Sequence, residues 1–157
     1  MERLGAELAR VKTTPRPLSM VMLDLDDFKK VNDRLGHLAG DALLAGLAQR
    51  LERQVRGDAQ VFRYGGEEFS VVLPGSDAAS ALTIAERLRA AVAGEPFPVA
   101  DGQLLRVTCS VGVVTLGDET SVHEFVDAAD QALLEAKRQG KNRVIPRGLV
   151  VGASARH

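Results

Sequence analysis

Apolar and polar positions along the chain fall into alternating helical and extended patterns. Leu4, Leu8 and Val11 recur at helical spacing among charged residues, which predicts a short amphipathic helix over Met1–Val11. Pro15 and Pro17 end it. Ser19–Leu25 is apolar almost throughout and short, the pattern of a strand buried on both faces. Asp26–Leu35 turns amphipathic and Gly36 closes it, and from Gly40 a second helix is predicted to about Arg56. Its apolar stripe is Leu43, Leu44, Leu47, Leu51 and Val55. Gln60–Tyr64 and Glu68–Leu73 are strand-like runs around Gly65-Gly66, a hairpin signal, and Pro74-Gly75 ends the second. Asp77 or Ser80 is the candidate N-cap of a helix reaching about Ala93, which Gly94-Glu95-Pro96 breaks. After the Asp101-Gly102 turn, Leu104–Leu116 alternates through Val107, Cys109, Val111 and Val113 and predicts one long strand. Ser121, with Glu124 three residues on, predicts a capping box opening a helix to Arg138. Gly140 stops that helix, Arg143–Ile145 reads as a last short strand, and Gly148–His157 reads as a flexible tail.

The predicted order is α, β, α, α, β, β, α, β, α, β, with no internal repeat and no interdomain linker. This is one α/β or α+β domain with a helix-covered sheet, and the central hairpin means that the sheet is not wholly parallel. A chain of 157 residues, 45% hydrophobic and 26% charged, buries a core without staples. Twenty basic against twenty-one acidic residues leave a net charge of −1, without the basic excess of a nucleic-acid binder. No Trp and one Tyr leave little for base stacking. The single cysteine, Cys109, excludes an intramolecular disulfide and a cysteine metal cluster. With no apolar run of membrane-spanning length and no signal-peptide core, a cytoplasmic domain is expected.

Two places carry candidate chemistry. Asp24-Leu25-Asp26-Asp27 sets three carboxylates at the end of a very apolar strand. Such crowding is unfavourable unless a cation neutralises it, which suggests a divalent-metal site completed by strand-end carbonyls. The same acids also suit the start of a helix, where the dipole favours negative charge, so both readings stand. The second place is Tyr64-Gly65-Gly66-Glu67-Glu68-Phe69. A Gly-Gly turn lets backbone approach a ligand closely, and two acids follow at once. If this hairpin lies beside the Asp24 strand, Glu67 or Glu68 reaches the same metal, the arrangement used for phosphoryl and nucleotidyl transfer.

Arg63-Tyr64-Gly65-Gly66-Glu67-Glu68-Phe69 resembles the signature of GGDEF domains, the diguanylate cyclases, in its Glu-Glu variant. Other segments fall into register with it. Asp24-Leu25-Asp26-Asp27-Phe28-Lys29-Lys30-Val31-Asn32-Asp33 is similar to "D-x-D-x-F-K-x-x-N-D", and Gly36-His37 with Gly40-Asp41 to "G-H-x-x-G-D". Ser110-Val111-Gly112-Val113 resembles the "S-x-G-x" strand, and Ala136-Lys137 through Gly140-Lys141-Asn142-Arg143 resembles "A-K-x-x-G-R-N-x". The likeness runs from about Leu18 to Val144.

The resemblance implies a GGDEF domain over residues 1–147 followed by the tail 148–157. It implies a mixed, mostly antiparallel sheet flanked by helices, similar to nucleotide cyclases and polymerase palms. It implies condensation of two GTP molecules into cyclic di-GMP with release of two pyrophosphates. Asp24, the carbonyl of Leu25 and Glu67 would hold Mg²⁺, with Glu68 supporting a second ion and Mn²⁺ as an alternative. Glu67 would help deprotonate the attacking 3′-hydroxyl, and Lys29 would stabilise charge on the transferring phosphate. Gly65 and Gly66 would lie against the nucleotide, and the loop at Asp27-Phe28-Lys29 would offer free backbone N–H groups to phosphates. Lys137 and Lys141 would neutralise the triphosphate, while Asn32 and Asp41 would bond the guanine edge with His37 close by. Each domain would hold one GTP, so turnover would need two copies face to face.

Three departures from the family pattern shape further expectations. The usual opening segment "D-x-L-T-x-L-x-N-R-R" is missing, so the chain is expected to begin inside the first helix, without that segment or an upstream sensor domain. The inhibitory product site "R-x-x-D" keeps its arginine as Arg56 but has Ala59 for its aspartate, with Asp58 one residue off, so product inhibition is expected to be weakened. Lys141 stands where arginine is usual and keeps charge without the bidentate fork, and Leu134 stands where tyrosine is frequent. The alternative to the enzyme is a catalytically silent GTP-binding signalling module.

Overall fold

β1 (Leu18–Leu25) is the centre of the fold, and all eight of its residues are buried. In this computed structural model, which describes residues 2–117 and 121–148, the strands form one five-stranded sheet. Besides β1 these are β2 (Gln60–Arg63), β3 (Glu68–Pro74), β6 (Cys109–Thr115) and β7 (Val144–Gly148), in the order β2-β3-β1-β6-β7. Every pairing is antiparallel except β6 with β7. β4 (Phe97–Pro98) and β5 (Leu104–Leu105) make a separate two-stranded ribbon.

Strand parity divides the core in two. Val21, Leu23 and Leu25 face α3 (His37–Gln54) and α4 (Ala78–Gly94), meeting Leu43, Leu47, Leu51, Ala85 and Leu88. Leu18, Met20 and Met22 face the other way, toward α1 (Glu2–Lys12) and α5 (Val122–Arg138), meeting Leu4, Leu8, Phe125 and Ala129. Asp24 has the same parity as Met22 and therefore emerges on the α5 side. α2 (Phe28–Leu35) follows β1 directly and is anchored by buried Phe28 and Val31.

Local signals account for most element ends. Asp77 caps α4 by accepting from the Ser80 N–H at 2.9 Å. Ser121 and Glu124 form the expected capping box on α5. Gly112 brings α5 close to the sheet: a Cβ there would lie 2.5 Å from the Leu133 amide nitrogen and 2.7 Å from the Ala129 carbonyl oxygen.

Several expectations need correction. α3 begins at His37, three residues before Gly40, because Gly36 in the left-handed region (φ 90°) both ends α2 and admits α3. It ends at Gln54, two residues before Arg56. The predicted single strand Leu104–Leu116 is two, β5 and β6, separated by Arg106–Thr108. β6 is buried on both faces rather than alternating, since β1 and β7 flank it and α4 and α5 cover it. Phe97–Pro98, which follows the Gly94-Glu95-Pro96 break and carries no predicted element, pairs with β5. The last strand runs on to Gly148, and residues 149–157 of the expected tail lie outside the described residues.

Candidate active site

The end of β1 brings the acidic signatures together. β1 lies between β3 and β6, so Asp24 sits opposite Glu68 on one side and Ser110 on the other. Asp24 is 8% exposed, and its Oδ2 lies 3.1 Å from the Lys137 Nζ of α5. Its Oδ1 is buried with no hydrogen-bond partner. Burial pushes the Asp24 carboxyl up to about 7; Lys137 opposes the shift and the Glu67 charge adds to it. Burial also raises Glu68, with help from Asp130 and Asp24. The last turn of α5 thus supplies a cation to a strand end that has a surplus of carboxylates.

The Gly-Gly hairpin is held by its own backbone and by Arg63. The Tyr64 N–H donates to the Glu68 carbonyl at 2.8 Å, and the Arg63 guanidinium donates to the Gly65 and Gly66 carbonyls. Neither glycine has a left-handed backbone. A Cβ on Gly65 would touch only the Glu68 Cβ, at 4.0 Å, and one on Gly66 would meet nothing within 4 Å. Local conformation and internal packing therefore do not require glycine here, and the space beside the hairpin stays open.

A second cluster of candidate residues lies between α2 and α3. The Asn32 Oδ1 is buried there without a partner, and it points at Gly40, where a Cβ would stand 1.9 Å away. Phe28 closes the space at 3.2 Å from the same point. Gly40 makes the room that Asn32 occupies. Asp41 and His37, on the first turns of α3, are exposed.

The loop from β1 to α2 meets the turn from α5 to β7. Asp27, left-handed at φ 59°, opens α2 without a side-chain cap and accepts from the Lys141 Nζ at 2.7 Å. Lys141 holds the Asp27 carboxyl below its ordinary range. Asp26 is 5% exposed and accepts from the Thr108 Oγ1, the Ser110 Oγ and the Asn142 N–H at 2.7, 2.6 and 3.0 Å.

Asp24, Glu68, Lys137, Leu25 and the Gly65-Gly66 hairpin therefore share one end of the sheet, and Lys141 reaches the loop beside it. Lys29 stands apart: its side chain is 88% exposed and pairs with Asp33 at 3.1 Å. Arg56 is exposed on the loop before β2, and neighbouring Asp58 is engaged by Arg16 at 2.8 Å. Sequence reasoning passed over Asp26 as a latch, Gly40 as room for Asn32, and Asp130 as a neighbour of Glu68. The second aspartate of Asp24-Leu25-Asp26 was visible, but its partners lie far along the chain.

The donor set suits a hard divalent ion. Among the described residues no three His, Cys, Asp or Glu side chains converge as a ready-made metal cluster. Mg²⁺ does not demand one, because it is commonly held by one or two carboxylates together with substrate phosphates and water. The Asp24 Oδ1 is a buried carboxylate oxygen without a hydrogen-bond partner, on a carboxylate whose other oxygen pairs with Lys137. Among the described residues no helix is long and apolar enough to cross a membrane.

Comparison with known proteins agrees with this geometry. The family model described as "Diguanylate cyclase, GGDEF domain" matches residues 1–143. The response regulator PleD of Caulobacter vibrioides is 44% identical over 131 residues, covering 82% of this chain and 29% of that protein. Diguanylate cyclase DgcP of Pseudomonas aeruginosa is 41% identical over 143 residues, 91% of this chain and 21% of that protein. The chain thus spans less than a third of the length of these curated relatives. The GGDEF domain of YfiN (TpbB) from Pseudomonas aeruginosa superposes with a TM-score of 0.84 at 33% identity, covering 94% of this chain and 92% of that one. The active GGEEF domain of a diguanylate cyclase from Vibrio cholerae gives 0.81 at 33% identity, covering 92% of each chain. With its signature at the hairpin, its acids at the end of the central strand and its family model matched over nearly the whole length, the chain belongs to the GGDEF-domain family of diguanylate cyclases.

Proposed function

We propose that this domain is one half-site of a diguanylate cyclase: two copies, each holding GTP, condense the pair into cyclic di-GMP and release two pyrophosphates. One observation carries the reading. Among the described residues only two buried side-chain nitrogen or oxygen atoms lack a hydrogen-bond partner, Asp24 Oδ1 and Asn32 Oδ1. Buried polar groups are rarely left unpaired unless a ligand, ion or water meets them. In this reading the Asp24 orphan meets a phosphate-bound cation and the Asn32 orphan meets the purine edge.

In this reading Asp24, the Leu25 carbonyl and Glu67 hold Mg²⁺, Glu68 supports a second ion, and Mn²⁺ serves as a substitute. When bound, the metal supplies charge neutralisation and Lewis acidity at the phosphates. The remaining chemistry belongs to the chain. Asn32 and Asp41 accept from the guanine N1–H and N2–H₂ groups, beside His37 and Phe28. Gly65 and Gly66 leave room for the nucleotide to lie against the hairpin backbone. Lys137 and Lys141 turn from Asp24 and Asp27 to the triphosphate. Lys29 leaves Asp33 for the transferring phosphate; that exposed pair contributes little and yields readily. Glu67 helps accept the proton of the 3′-hydroxyl, whose oxygen attacks the α-phosphorus of the partner's GTP as pyrophosphate departs. A second, reciprocal transfer closes the ring. Both transfers need facing copies, so activity requires a homodimer, in the cytoplasm where GTP is present.

The test is to incubate the protein with GTP and Mg²⁺ across a range of protein concentrations and to follow pyrophosphate and cyclic di-GMP. Specific activity is expected to rise with protein concentration, and Glu67→Gln is expected to fold normally and lose turnover. GTP binding without product at any concentration would leave a silent binding module and overturn the enzyme reading.

A further inference from the structure

We propose that Asp26, which the catalytic chemistry does not use, is a positioning residue for the triphosphate. It would act by fastening the α5–β7 turn to the phosphate-facing loop; the inference rests on the nucleotide site proposed above. Asp26 occupies the joint between β1 and α2. Its N–H donates to the Thr108 carbonyl at 2.9 Å, and its carboxylate accepts from Thr108, Ser110 and the Asn142 N–H. The residue is therefore held at four points and carries three separate segments together.

The turn that it fastens is unusual. Lys141 and Asn142 both have left-handed backbones, at φ 68° and 47°, directly after Gly140 at φ 124°. Side-chain-bearing residues disfavour that region, and two in succession persist only where surrounding contacts hold them. Outside the turn, the contacts on these two residues come from α5, the loop beside β1 and α4: the Lys141 N–H donates to the Ala136 carbonyl at 3.0 Å. The Asp26 carboxylate takes the Asn142 N–H, the Asp27 carboxylate takes the Lys141 ammonium, and Arg89 donates to the Asn142 Oδ1 at 2.7 Å. The Ala136 bond ties the Lys141 N–H to α5, and the bond from the Asn142 N–H to the Asp26 carboxylate holds the next residue, so the two together fix where Lys141 projects.

Lys141 and Lys137 lie one helical turn apart in sequence, but only Lys137 is on α5 itself. Lys137 is aimed by the helix; Lys141 is aimed by the turn. The exposed Asp27–Lys141 pair keeps the ammonium at the mouth of the loop, where an arriving phosphate can exchange for the carboxylate. Without Asp26 the turn would keep its Ala136 bond to α5 and its two side-chain pairs, but its Asn142 end would lose its backbone anchor and Lys141 would be held less firmly on the phosphate side. Neutralising Asp26 matters less than shortening it. In Asp26→Asn the amide oxygen can still accept from Thr108 and Asn142, while its NH₂ donates to the Ser110 hydroxyl, which is able to accept.

The experiment compares the affinity of wild type, Asp26→Ala and Asp26→Asn for two ligands, a non-reacting GTP analogue and guanosine. Hydrogen exchange at the Asn142 amide is read on the nucleotide-free protein. Asp26→Ala is expected to lose Asn142 protection and to bind the GTP analogue about tenfold or more weakly, with guanosine affinity unchanged. Asp26→Asn is expected to restore analogue affinity to within about threefold of wild type. Asp26→Ser is too short to reach the Asn142 N–H and carries the same test if the alanine variant fails to fold. Equal weakening of both ligands, or exchange at Asn142 with no loss of analogue affinity, would overturn the positioning role. A wild-type protein that binds neither ligand refutes the nucleotide site itself, and the inference falls with it.

Discussion

Gly40→Ala separates the proposed ligand contact of Asn32 from its packing. An alanine Cβ at this position would stand 1.9 Å from the Asn32 Oδ1, 3.0 Å from its Cγ and 3.2 Å from the Phe28 Cζ. The first two atoms are the end of a movable side chain, so the amide swings away and the backbone stays. Turning the amide off its rotamer costs about 0.5–1.5 kcal/mol. Against this, replacing glycine by alanine inside a helix returns about 1 kcal/mol. The two offset, and thermal stability should change by less than about 1 kcal/mol. Function should not be spared. In the proposed site, losing the Asn32 acceptor would leave a guanine donor unpaired, at about 1–3 kcal/mol, which is roughly 5- to 150-fold in GTP affinity. The assay is thermal unfolding alongside equilibrium binding of GTP. The informative contrast is Gly112→Ala, where a Cβ meets the Leu133 amide nitrogen at 2.5 Å and the Ala129 carbonyl at 2.7 Å. There the obstacle is helix backbone, α5 must lift from the sheet, and a loss of about 3 kcal/mol is expected. A Gly40→Ala protein that binds GTP as tightly as wild type, or one that unfolds like Gly112→Ala, refutes the assignment of Asn32 to a nucleotide contact.

Further outcomes concern charge and anchoring. The Asp24 carboxyl titrates near 7 in the folded chain against an ordinary 3.8. Its contribution to stability is therefore complete below about 3.8 and lost as pH rises through 7. In metal-free buffer the melting temperature of wild type should fall relative to Asp24→Asn between pH 5 and 8; a constant difference contradicts the raised pKa. Added Mg²⁺ should recover stability only toward the upper end of that range, because the carboxylate must ionise to bind it. Arg50 donates to the carbonyls of Ala91, Val92, Glu95 and Pro96 and stacks 3.5 Å from the Phe97 ring centroid. Arg50→Ala strips the end of α4 of these bonds and should cost about 3 kcal/mol, a drop of roughly 6–12 °C in Tm. Arg50→Lys should recover only part of this, since lysine lacks the planar fork.

Much of the fold was legible because local chemistry and the hydrophobic period agree. Pro15, Gly36, Gly75 and Gly140 punctuate the chain where elements change, and the caps at Asp77 and Ser121 form as their spacing predicts. The errors fall where tertiary context prevails. β6 carries residues that look alternating, but as an inner strand it is covered on both faces, so parity ceased to report burial. The β4–β5 ribbon was too short for any periodic signal, and β5 ends because the chain must turn to join the main sheet. The start of α3 was misplaced because a glycine-bounded junction between two helices has no apolar stripe to mark it.

For the site, the sequence by itself determined which candidate groups stand together along the chain. Paired acids at the end of an apolar strand, a Gly-Gly hairpin followed by two glutamates, and Lys137 and Lys141 in and just after a helix were legible because motif residues are close neighbours along the chain. Only the tertiary structure decided how the acids divide the work. Asp24 and Asp26 are two residues apart and chemically identical. β1 ends between them, so Asp24 emerges toward Lys137 with one oxygen unpaired, whereas Asp26 turns into three hydrogen bonds and becomes a latch. Its partners at Thr108, Ser110 and Asn142 lie 82, 84 and 116 residues away. Hydrophobic periodicity says which face a residue takes, but not which distant segment will be packed against it. That depends on strand order and helix placement, and these follow from burial of the whole core rather than from any local pattern.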